Sequence, residues 1–101
     1  MRLFEVAGKP HDLLLPPALD FAAAAPLAAA LLEHLGDDVT LDGSRVQRMG
    51  ASCLQVLLSA RRTWAKSGVS LSLAHASERM VADLHCLGFE LSTFLNEATP
   101  R

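Results

Sequence analysis

The stretch from residue 51 to residue 66, ASCLQVLLSARRTWAK, is the strongest helical pattern in the chain. Its apolar residues recur at helical spacing and form one continuous stripe, made of Cys53, Leu54, Val56, Leu57, Leu58, Ala60 and Trp64. Gly68 follows, at a position where a left-handed residue commonly ends a helix. The stretch therefore predicts a long amphipathic helix, and its stripe must be buried against another layer of structure.

Short runs with strand character lie on both sides of this helix. Residues 38–42, DVTLD, and 69–75, VSLSLAH, alternate apolar and polar side chains, as strands with one buried face do. We expect the second run to form a central strand. Two earlier runs, LFEV at 3–6 and DLLL at 12–15, are separated by a glycine and a proline, which predicts a β-hairpin with a tight turn.

A first helix is expected between the hairpin and the strand at 38–42. Its leucines recur every four residues among alanines, and a glycine follows at Gly36, so we place the helix at roughly 22 to 35 with these residues inward: Leu27, Leu31 and Leu35. Pro26 then lies near the first turn, where a missing N–H group is tolerated.

A third helix is expected after the strand at 69–75. Ser77 is suited to cap its N-terminus, and Gly88 ends it. Four apolar side chains at helical spacing should face inward: Met80, Val81, Leu84 and Leu87. The tail from residue 91 to residue 101 can be read as an edge strand or as a turn of helix, and the sequence does not choose between them.

The order of these elements, strand–strand–helix–strand–helix–strand–helix, indicates the α/β class. Helices that connect strands favour parallel pairing, and helices on one face of the sheet would bury the leucine stripes. A chain of 101 residues with 50% hydrophobic residues can build one core. We therefore expect one domain over residues 1–101, with its core at about 3–90 and a four- to five-stranded mixed sheet covered mainly on one face.

Charge and hydropathy exclude several classes of function. The formal net charge is −2, so nothing draws the chain as a whole toward nucleic acid or anionic lipid. The longest apolar stretch, LDFAAAAPLAAALLEHLG, contains Pro26 and falls short of the roughly 20 apolar residues that span a bilayer. The N-terminal apolar run is too short for a signal peptide. A cytoplasmic protein with no direct membrane insertion is the expectation.

Motifs for enzymatic chemistry are missing or incomplete. No glycine-rich phosphate loop occurs, and MGASCLQ contains Gly50 and Ser52 but lacks the second glycine of a hydrolase elbow. The carboxylates are dispersed, so no pair is suited to acid–base catalysis. Cys53 and Cys86 have no partner at metal-ligand spacing and are expected to be buried, reduced thiols. We expect no enzyme activity, no metal and no cofactor.

Ser52 has two interpretations. A helix N-terminus has amide groups without partners and a positive dipole end, so a serine there can carry a phosphate or meet an acidic group of a partner. A serine at this point is more commonly a cap or an ordinary residue of the first turn. From physical arguments alone the structural interpretation of Ser52 is favoured.

The segment VTLDGSRVQRMGASCLQVLLSARRTWAKSGVSLSLAHASERMVADLHCLGFE, residues 39–90, resembles the STAS domains, the family of the anti-sigma factor antagonists. The family's loop has the form V-x-x-[hydrophobic]-D-S-[S/T/A]-G-L, and Val46, Met49 and Leu54 hold its hydrophobic places. LHCLGF at 84–89 is similar to the end of a later helix in the family. The resemblance implies a single STAS-like domain.

Three positions of the loop depart from the family pattern. The family's aspartate corresponds to Gly50, its phosphorylated serine to Ala51 and its glycine to Cys53, so only Ser52 remains, one place after the phospho-acceptor. An alanine has no hydroxyl group, and phosphate on Ser52 would point about 100° further round the helix. The resemblance therefore implies a docking loop and helix that lack the usual phospho-switch.

The phrase MGASCLQVLLSARRTWAKSG is also similar to the small STAS proteins that accompany chemotaxis genes in alphaproteobacteria. This resemblance implies a non-enzymatic interaction module that regulates a cytoplasmic signalling kinase, a chemotaxis histidine kinase or an anti-sigma kinase, through residues 43–66. The residues expected to contact the partner are Ser44, Arg45, Arg48, Gly50, Ala51, Ser52 and Gln55. Positive charge supports an interaction surface here, because five cations cluster around the second helix: Arg45, Arg48, Arg61, Arg62 and Lys66.

Three alternatives stay open. The chain can be a phosphorylatable anti-sigma factor antagonist that uses Ser52 or Ser44. It can be an accessory subunit of an ABC-transporter ATPase, as in the branch of the family that serves lipid transport. It can also bind a nucleotide, although the phosphate loop is missing.

Overall fold

The computed structural model describes residues 5–6 and 12–89. Within these ranges the elements, in chain order, are β1 (Glu5–Val6), β2 (Asp12–Leu14), β3 (Ala18–Leu19), α1 (Phe21–Leu32), β4 (Val39–Asp42), β5 (Arg48–Met49), α2 (Ala51–Ser67), β6 (Leu71–Ala74) and α3 (Glu78–Cys86). The predicted alternation of strands and helices is confirmed, with β3 and β5 as two short additions. The predictions for the hairpin turn and for the tail at 91–101 lie outside the described residues.

Four of the strands form a mixed sheet in the order β1-β2-β4-β6. The predicted hairpin pairing is confirmed, because β1 runs antiparallel to β2 with Val6 opposite Leu13. The other two pairings are parallel, with Leu41 of β4 opposite both Leu13 and Leu73. Among the described strands β2 and β4 are interior and β6 lies at the end of the sheet, so the expectation of a central strand at 69–75 is wrong for this part of the chain.

The two faces of the sheet differ as the alternation predicts. On one face the side chains of Leu13, Val39, Leu41, Leu71 and Leu73 are buried and belong to the same core cluster as the inward leucines of the helices. On the other face the intervening residues are half-buried, and the Thr40 and Ser72 hydroxyl oxygens lie 3.3 Å apart. The helices therefore cover one face, as expected for this α/β class.

Helix α1 begins and ends earlier than the sequence suggests. Asp20 caps it by accepting a hydrogen bond from the Ala23 amide at 3.2 Å, so the helix starts at Phe21. After Leu32 the chain tightens into turns, with the His34 amide donating to the Leu31 carbonyl at 2.9 Å. The predicted end at residue 35 is wrong for this reason, and Leu35 is 51% exposed and not inward.

Pro26 lies inside α1 and not in its first turn. With the helix starting at Phe21, a residue at position 26 would donate its amide to the Ala22 carbonyl, which proline cannot do. Pro26 is on the exposed side of the helix. Water can therefore reach the carbonyl that the proline leaves without its helical partner.

Helix α2 follows the predicted boundaries closely. Gly50 is its N-cap in an extended conformation, and Gly68 ends it with a φ of 74°, in the left-handed region that favours glycine. Its buried side is formed by Cys53, Leu54, Leu57, Ala60 and Trp64, as the stripe predicts. The indole N–H of Trp64 donates to the Asp37 carbonyl at 2.6 Å, which ties the end of α2 to the turn after α1.

Helix α3 confirms the predicted cap and corrects two other expectations. The Ser77 hydroxyl accepts a hydrogen bond from the Met80 amide at 3.0 Å. Met80 and Leu84 are fully buried, but Val81 is 37% exposed because it lies one position round the helix from Met80. Cys86 is a free, exposed thiol at the end of α3, so only Cys53 meets the expectation of a buried thiol.

Candidate partner-binding site

Helices α1 and α2 start side by side, and Asp20 connects the two starts. Its carboxylate caps α1 and also accepts a hydrogen bond from the Arg48 guanidinium at 3.4 Å. Its backbone carbonyl accepts a hydrogen bond from the Cys53 thiol in the first turn of α2 at 3.3 Å. One residue therefore sets the relative position of both helix N-termini.

The segments that precede the two helices are paired as short parallel strands. In β3 and β5, Ala18 lies opposite Arg48 and Leu19 lies opposite Met49. The Gly50 amide donates to the Leu19 carbonyl at 2.8 Å, and the Met49 amide donates to the Asp83 carboxylate of α3 at 2.8 Å. The backbone that leads into α2 is thus held from both sides.

The loop between β4 and β5 is fixed to the start of α3. The Gly43 amide donates to the Ala74 carbonyl, and the Gly43 carbonyl accepts from the Ser77 amide at 3.1 Å. The Ser77 hydroxyl donates to the Val46 carbonyl at 2.6 Å. A β-carbon at Gly43 would lie 2.8 Å from the sulfur of the buried Met80 side chain and 3.3 Å from the Ala76 Cα atom, so this close approach favours glycine.

Asp42 organises the first turn of this loop. Its carboxylate accepts a hydrogen bond from the Ser44 amide at 2.9 Å. This backbone hydrogen bond is the largest influence on the Asp42 pKa and lowers it; partial burial opposes the shift, while the Ser44 side chain and the charges of His75 and Arg45 lower the pKa further. The Asp42 pKa therefore lies below its usual value, and the loop contains a stable carboxylate.

A shallow depression of about 320 Å³ lies where α1 and α2 begin. It is lined by Asp20, Phe21, Arg48, Met49, Gly50, Ala51 and Ser52. The Phe21 ring is 84% exposed, and the Arg48 side chain is 64% exposed. An aromatic ring and a guanidinium group therefore stand beside the N-terminus of α2, on a backbone that is held by hydrogen bonds.

Comparison with known proteins identifies the family. A family model described as "Mlab, STAS domain" matches residues 4–95. The chain belongs to the STAS domain family. No curated protein matches this STAS domain.

The fold of this STAS domain is similar to that of a solved structure, the NMR structure of the protein TM1081. The TM-score is 0.68 and the identity is 15%, over 94% of this chain and 78% of that chain. At this identity the likeness concerns the fold alone. The fold class expected from the sequence, a STAS-like α/β domain with a mixed sheet, is confirmed.

The residues predicted to contact a partner lie in three places in the STAS domain. Arg48, Gly50, Ala51 and Ser52 meet in the depression. Gln55 lies one turn further along α2 and lines a different groove, between α1 and α2. Ser44 and Arg45 are exposed on the loop before β5 and line neither of these surfaces.

Sequence reasoning did not name three of the residues that line the depression as contacts: Met49, which was assigned only a hydrophobic place in the loop, and Asp20 and Phe21, which were missed altogether. An aspartate directly before an alanine-rich helix is a recognisable N-cap signal, so Asp20 could have been found as the cap of α1. The exposure of Phe21 has no such signal. Its place in the depression depends on the pairing of β3 with β5, which brings the start of α1 beside the start of α2.

Ser52 is the second residue of α2 and is half-buried, whereas Ala51, the first residue, is exposed. The N-cap position belongs to Gly50, which makes no side-chain cap, so a capping role for Ser52 is wrong. Next to it, burial and the nearby Asp20 charge raise the pKa of the Cys53 thiol. A thiol held protonated in this way is a poor nucleophile.

Two further findings concern only the described residues, 5–6 and 12–89. No group of three or more His, Cys, Asp or Glu side chains is placed there to hold a metal ion. No helix in that part of the STAS domain is long and apolar enough to cross a membrane.

Proposed function

We propose that this chain is a non-enzymatic STAS-type interaction module that binds a cytoplasmic signalling kinase, either a chemotaxis histidine kinase or a kinase of the anti-sigma type. The proposed contact comprises the loop and helix at residues 43–66 together with Asp20 and Phe21 at the start of α1, and it centres on the depression at the start of α2. Membership of the STAS family supports an interaction module. The single observation that carries the proposal is that an exposed Phe21 ring and the exposed Arg48 guanidinium both line this depression.

The chemistry of the depression supports a protein partner. Aromatic residues and arginine are enriched among the residues that dominate binding energy at protein interfaces. The backbone that leads into α2 is held by hydrogen bonds from its amides to the Pro17 and Leu19 carbonyls and to the Asp83 carboxylate. A surface that is already ordered loses little conformational entropy on binding, so more of the contact energy appears as affinity.

The first turn of α2 supports regulation without a phospho-switch on this chain. Ala51 is exposed at the position that corresponds to the family's phosphorylated serine, and it has no hydroxyl group. Ser52 is half-buried, which makes it a poorer kinase substrate than an exposed serine. In this proposal the chain binds its partner constitutively, and any switching occurs on the partner.

The charge of α2 favours an acidic partner surface. Residues 51–67 contain Arg61, Arg62 and Lys66 but no aspartate or glutamate. Complementary charge of this kind raises the association rate and selects among partners. We therefore expect binding to weaken as the salt concentration rises.

The proposal is tested with the purified chain and purified candidate partners from the same organism: the chemotaxis histidine kinase, the anti-sigma kinase and ABC-transporter ATPases. Affinity is measured by biolayer interferometry for the native chain and for Ala51→Asp. An aspartate at the first position of α2 suits the helix dipole, so this variant should gain roughly 0.3–1 kcal/mol of helix stability. It nevertheless places a charge in the depression, so affinity for the kinase should fall by at least about tenfold.

The matched control is Ala82→Asp, which adds the same charge at an exposed position of α3. The control should bind the kinase as the native chain does. Failure of every kinase to bind, or equal loss in both variants, would contradict the proposal. Binding to an ABC-transporter ATPase alone would support the accessory-subunit alternative.

The two remaining alternatives have their own readouts. Phosphate on Ser52 or Ser44, found by mass spectrometry of the chain purified from its native cells, would indicate a phosphorylatable antagonist. A rise in melting temperature on addition of ATP or GTP would indicate a nucleotide binder. The proposal predicts neither result.

A further inference from the structure

Helix α1 has an apolar surface on its outside as well as on its inside. Its sequence, FAAAAPLAAALL, contains no polar side chain. Ala23, Leu27 and Leu31 face the core, while the exposed side carries Phe21, Ala22, Ala25, Pro26, Ala29 and Leu32, of which Leu32 is 64% exposed. A surface helix ordinarily presents polar residues to water, so the exposed side of α1 is typical of a contact surface.

A groove of about 400 Å³ runs between this helix and α2. Leu31 and Leu32 line it from α1, and Val56, Ala60 and Trp64 line it from α2. The groove is separate from the depression at the helix N-termini, with which it shares no lining residue. Its floor and one wall are apolar.

The other wall of the groove leads into a row of cations. Gln55 and Ser59 line the groove, and Arg62 and Lys66 follow them at steps of three and four residues, so all four lie in one row along α2. Arg62 and Lys66 are exposed. The groove therefore has an uncharged apolar edge along α1 and a cationic edge along α2.

We propose that this groove binds an amphipathic helix of a partner protein. The apolar face of that helix packs on α1 and on the floor of the groove, and a row of its Asp or Glu residues lies along Arg62 and Lys66. Recognition of an amphipathic helix in an apolar groove is a recurrent mode of peptide binding. Charge complementarity selects the acidic edge of the ligand. The inference concerns a second surface and does not rest on the proposed function of the depression.

A second copy of this chain fits the groove less well. In a symmetric dimer the same patch meets itself, so each copy would offer an uncharged α1 and a cationic α2. The α2 rows would then face each other without a carboxylate from either helix. Like charges placed in this way repel, which favours a ligand of different charge.

The test uses two synthetic helical peptides of roughly 18 residues with the same leucine and alanine seam. One peptide carries glutamate along the edge of the seam, the other carries lysine, and neither contains tryptophan. Binding is followed by the fluorescence of Trp64, the one tryptophan of the chain, which lies in the groove wall. We expect saturable binding of the glutamate peptide, at least about tenfold tighter than binding of the lysine peptide and weaker at higher salt.

Substitutions then locate the ligand. Arg62→Glu should weaken binding of the glutamate peptide by about tenfold and strengthen binding of the lysine peptide. The matched control is Arg61→Glu, which makes the same charge change about 100° away around α2, outside the row that Arg62 shares with Gln55 and Ser59 of the groove wall. This control should change the affinity for either peptide by less than about threefold, through long-range charge alone. Leu32→Glu should abolish binding of the glutamate peptide, whereas Ala51→Asp, in the separate depression, should leave it unchanged.

Three results would overturn the inference. The first is no preference for the glutamate peptide over the lysine peptide. The second is an equal effect of Arg61→Glu and Arg62→Glu. The third is a dimer of the native chain in sedimentation equilibrium that Leu32→Glu dissociates, because the groove would then be covered by a second copy.

Discussion

Helices α1 and α2 lie side by side, but they differ in the polarity of their exposed sides. Each buries a row of apolar residues in the same core, with Leu27 of α1 and Leu57 of α2 both fully buried. The exposed side of α2 is polar and cationic, whereas α1 has no polar residue anywhere. The inward rows account for the core contacts of both helices, so burial in the core does not require the apolar outer side of α1.

The largest effect is expected from truncating a buried leucine in each helix, which tests whether the inner rows of α1 and α2 contribute equally to stability. Leu27→Ala in α1 and Leu57→Ala in α2 should each lower the free energy of unfolding by about 2–5 kcal/mol, because both remove a fully buried side chain and leave a cavity. Urea denaturation followed by circular dichroism measures the loss. A loss in α1 below about 1 kcal/mol would show that its alanine-rich core contact is looser than that of α2.

The matched control within α1 is Leu32→Ala. This leucine is 64% exposed, so its truncation should change the free energy of unfolding by no more than about 0.5 kcal/mol. A large loss would mean that the exposed row of α1 contributes to folding. The inner and outer rows would then not differ in their contribution to stability.

Substitutions at the N-caps of the two helices should change the free energy of unfolding by smaller amounts and in opposite directions. Asp20 caps α1 with its side chain, so Asp20→Ala should cost about 1 kcal/mol. Gly50 caps α2 without a side-chain bond, and a β-carbon there would meet only the Leu19 carbonyl oxygen, at 3.8 Å. Gly50→Ser should therefore stabilise the protein by a few tenths of a kcal/mol, roughly the difference between serine and glycine at this position.

Asp20→Asn separates the cap of α1 from its charge. Asparagine caps a helix about as well as aspartate but cannot form the ion pair with Arg48. Since exposed ion pairs contribute about 0–1 kcal/mol, Asp20→Asn should remain close to the native chain in melting temperature. If the asparagine variant loses as much as the alanine variant, the Arg48 contact and not the cap holds the start of α1.

The sequence predicted α2 better than α1 for a physical reason. In α2 the apolar stripe stops where glycines bound the helix, so pattern and boundary agree. In α1 the leucine spacing continues to Leu35, but the chain leaves the helix after Leu32 through tighter turns. Strands β3 and β5 have two residues each, too few to show any alternation, and their pairing depends on contacts between distant segments.

The same long-range pairing limits what the sequence could say about the candidate site. Four of the seven predicted contact residues, from Arg48 to Ser52, are close in sequence and were found through the resemblance to the STAS family. Asp20 and Phe21 come from a separate segment and reach the depression only because β3 pairs with β5. No local pattern encodes such a contact, since it is decided by packing.

The smallest expected effect concerns Asp42, at the start of the loop that leads into α2. Like Asp20 at the start of α1, Asp42 accepts a hydrogen bond from a backbone amide nearby in the chain. Folding lowers the Asp42 pKa from 3.8, chiefly through the hydrogen bond from the Ser44 amide, so the ionised carboxylate stabilises the folded state above that pH. The contribution should disappear as the pH falls through the lower, folded-state pKa.

Asp42→Asn keeps an acceptor for the Ser44 amide but cannot ionise, so its free energy of unfolding should depend less on pH than that of the native chain between roughly pH 6 and pH 3. Urea denaturation across this range measures the difference, and NMR titration of the Asp42 carboxyl group gives its folded-state pKa directly. Parallel pH profiles for the two proteins would show that the Ser44 contact does not favour the ionised form.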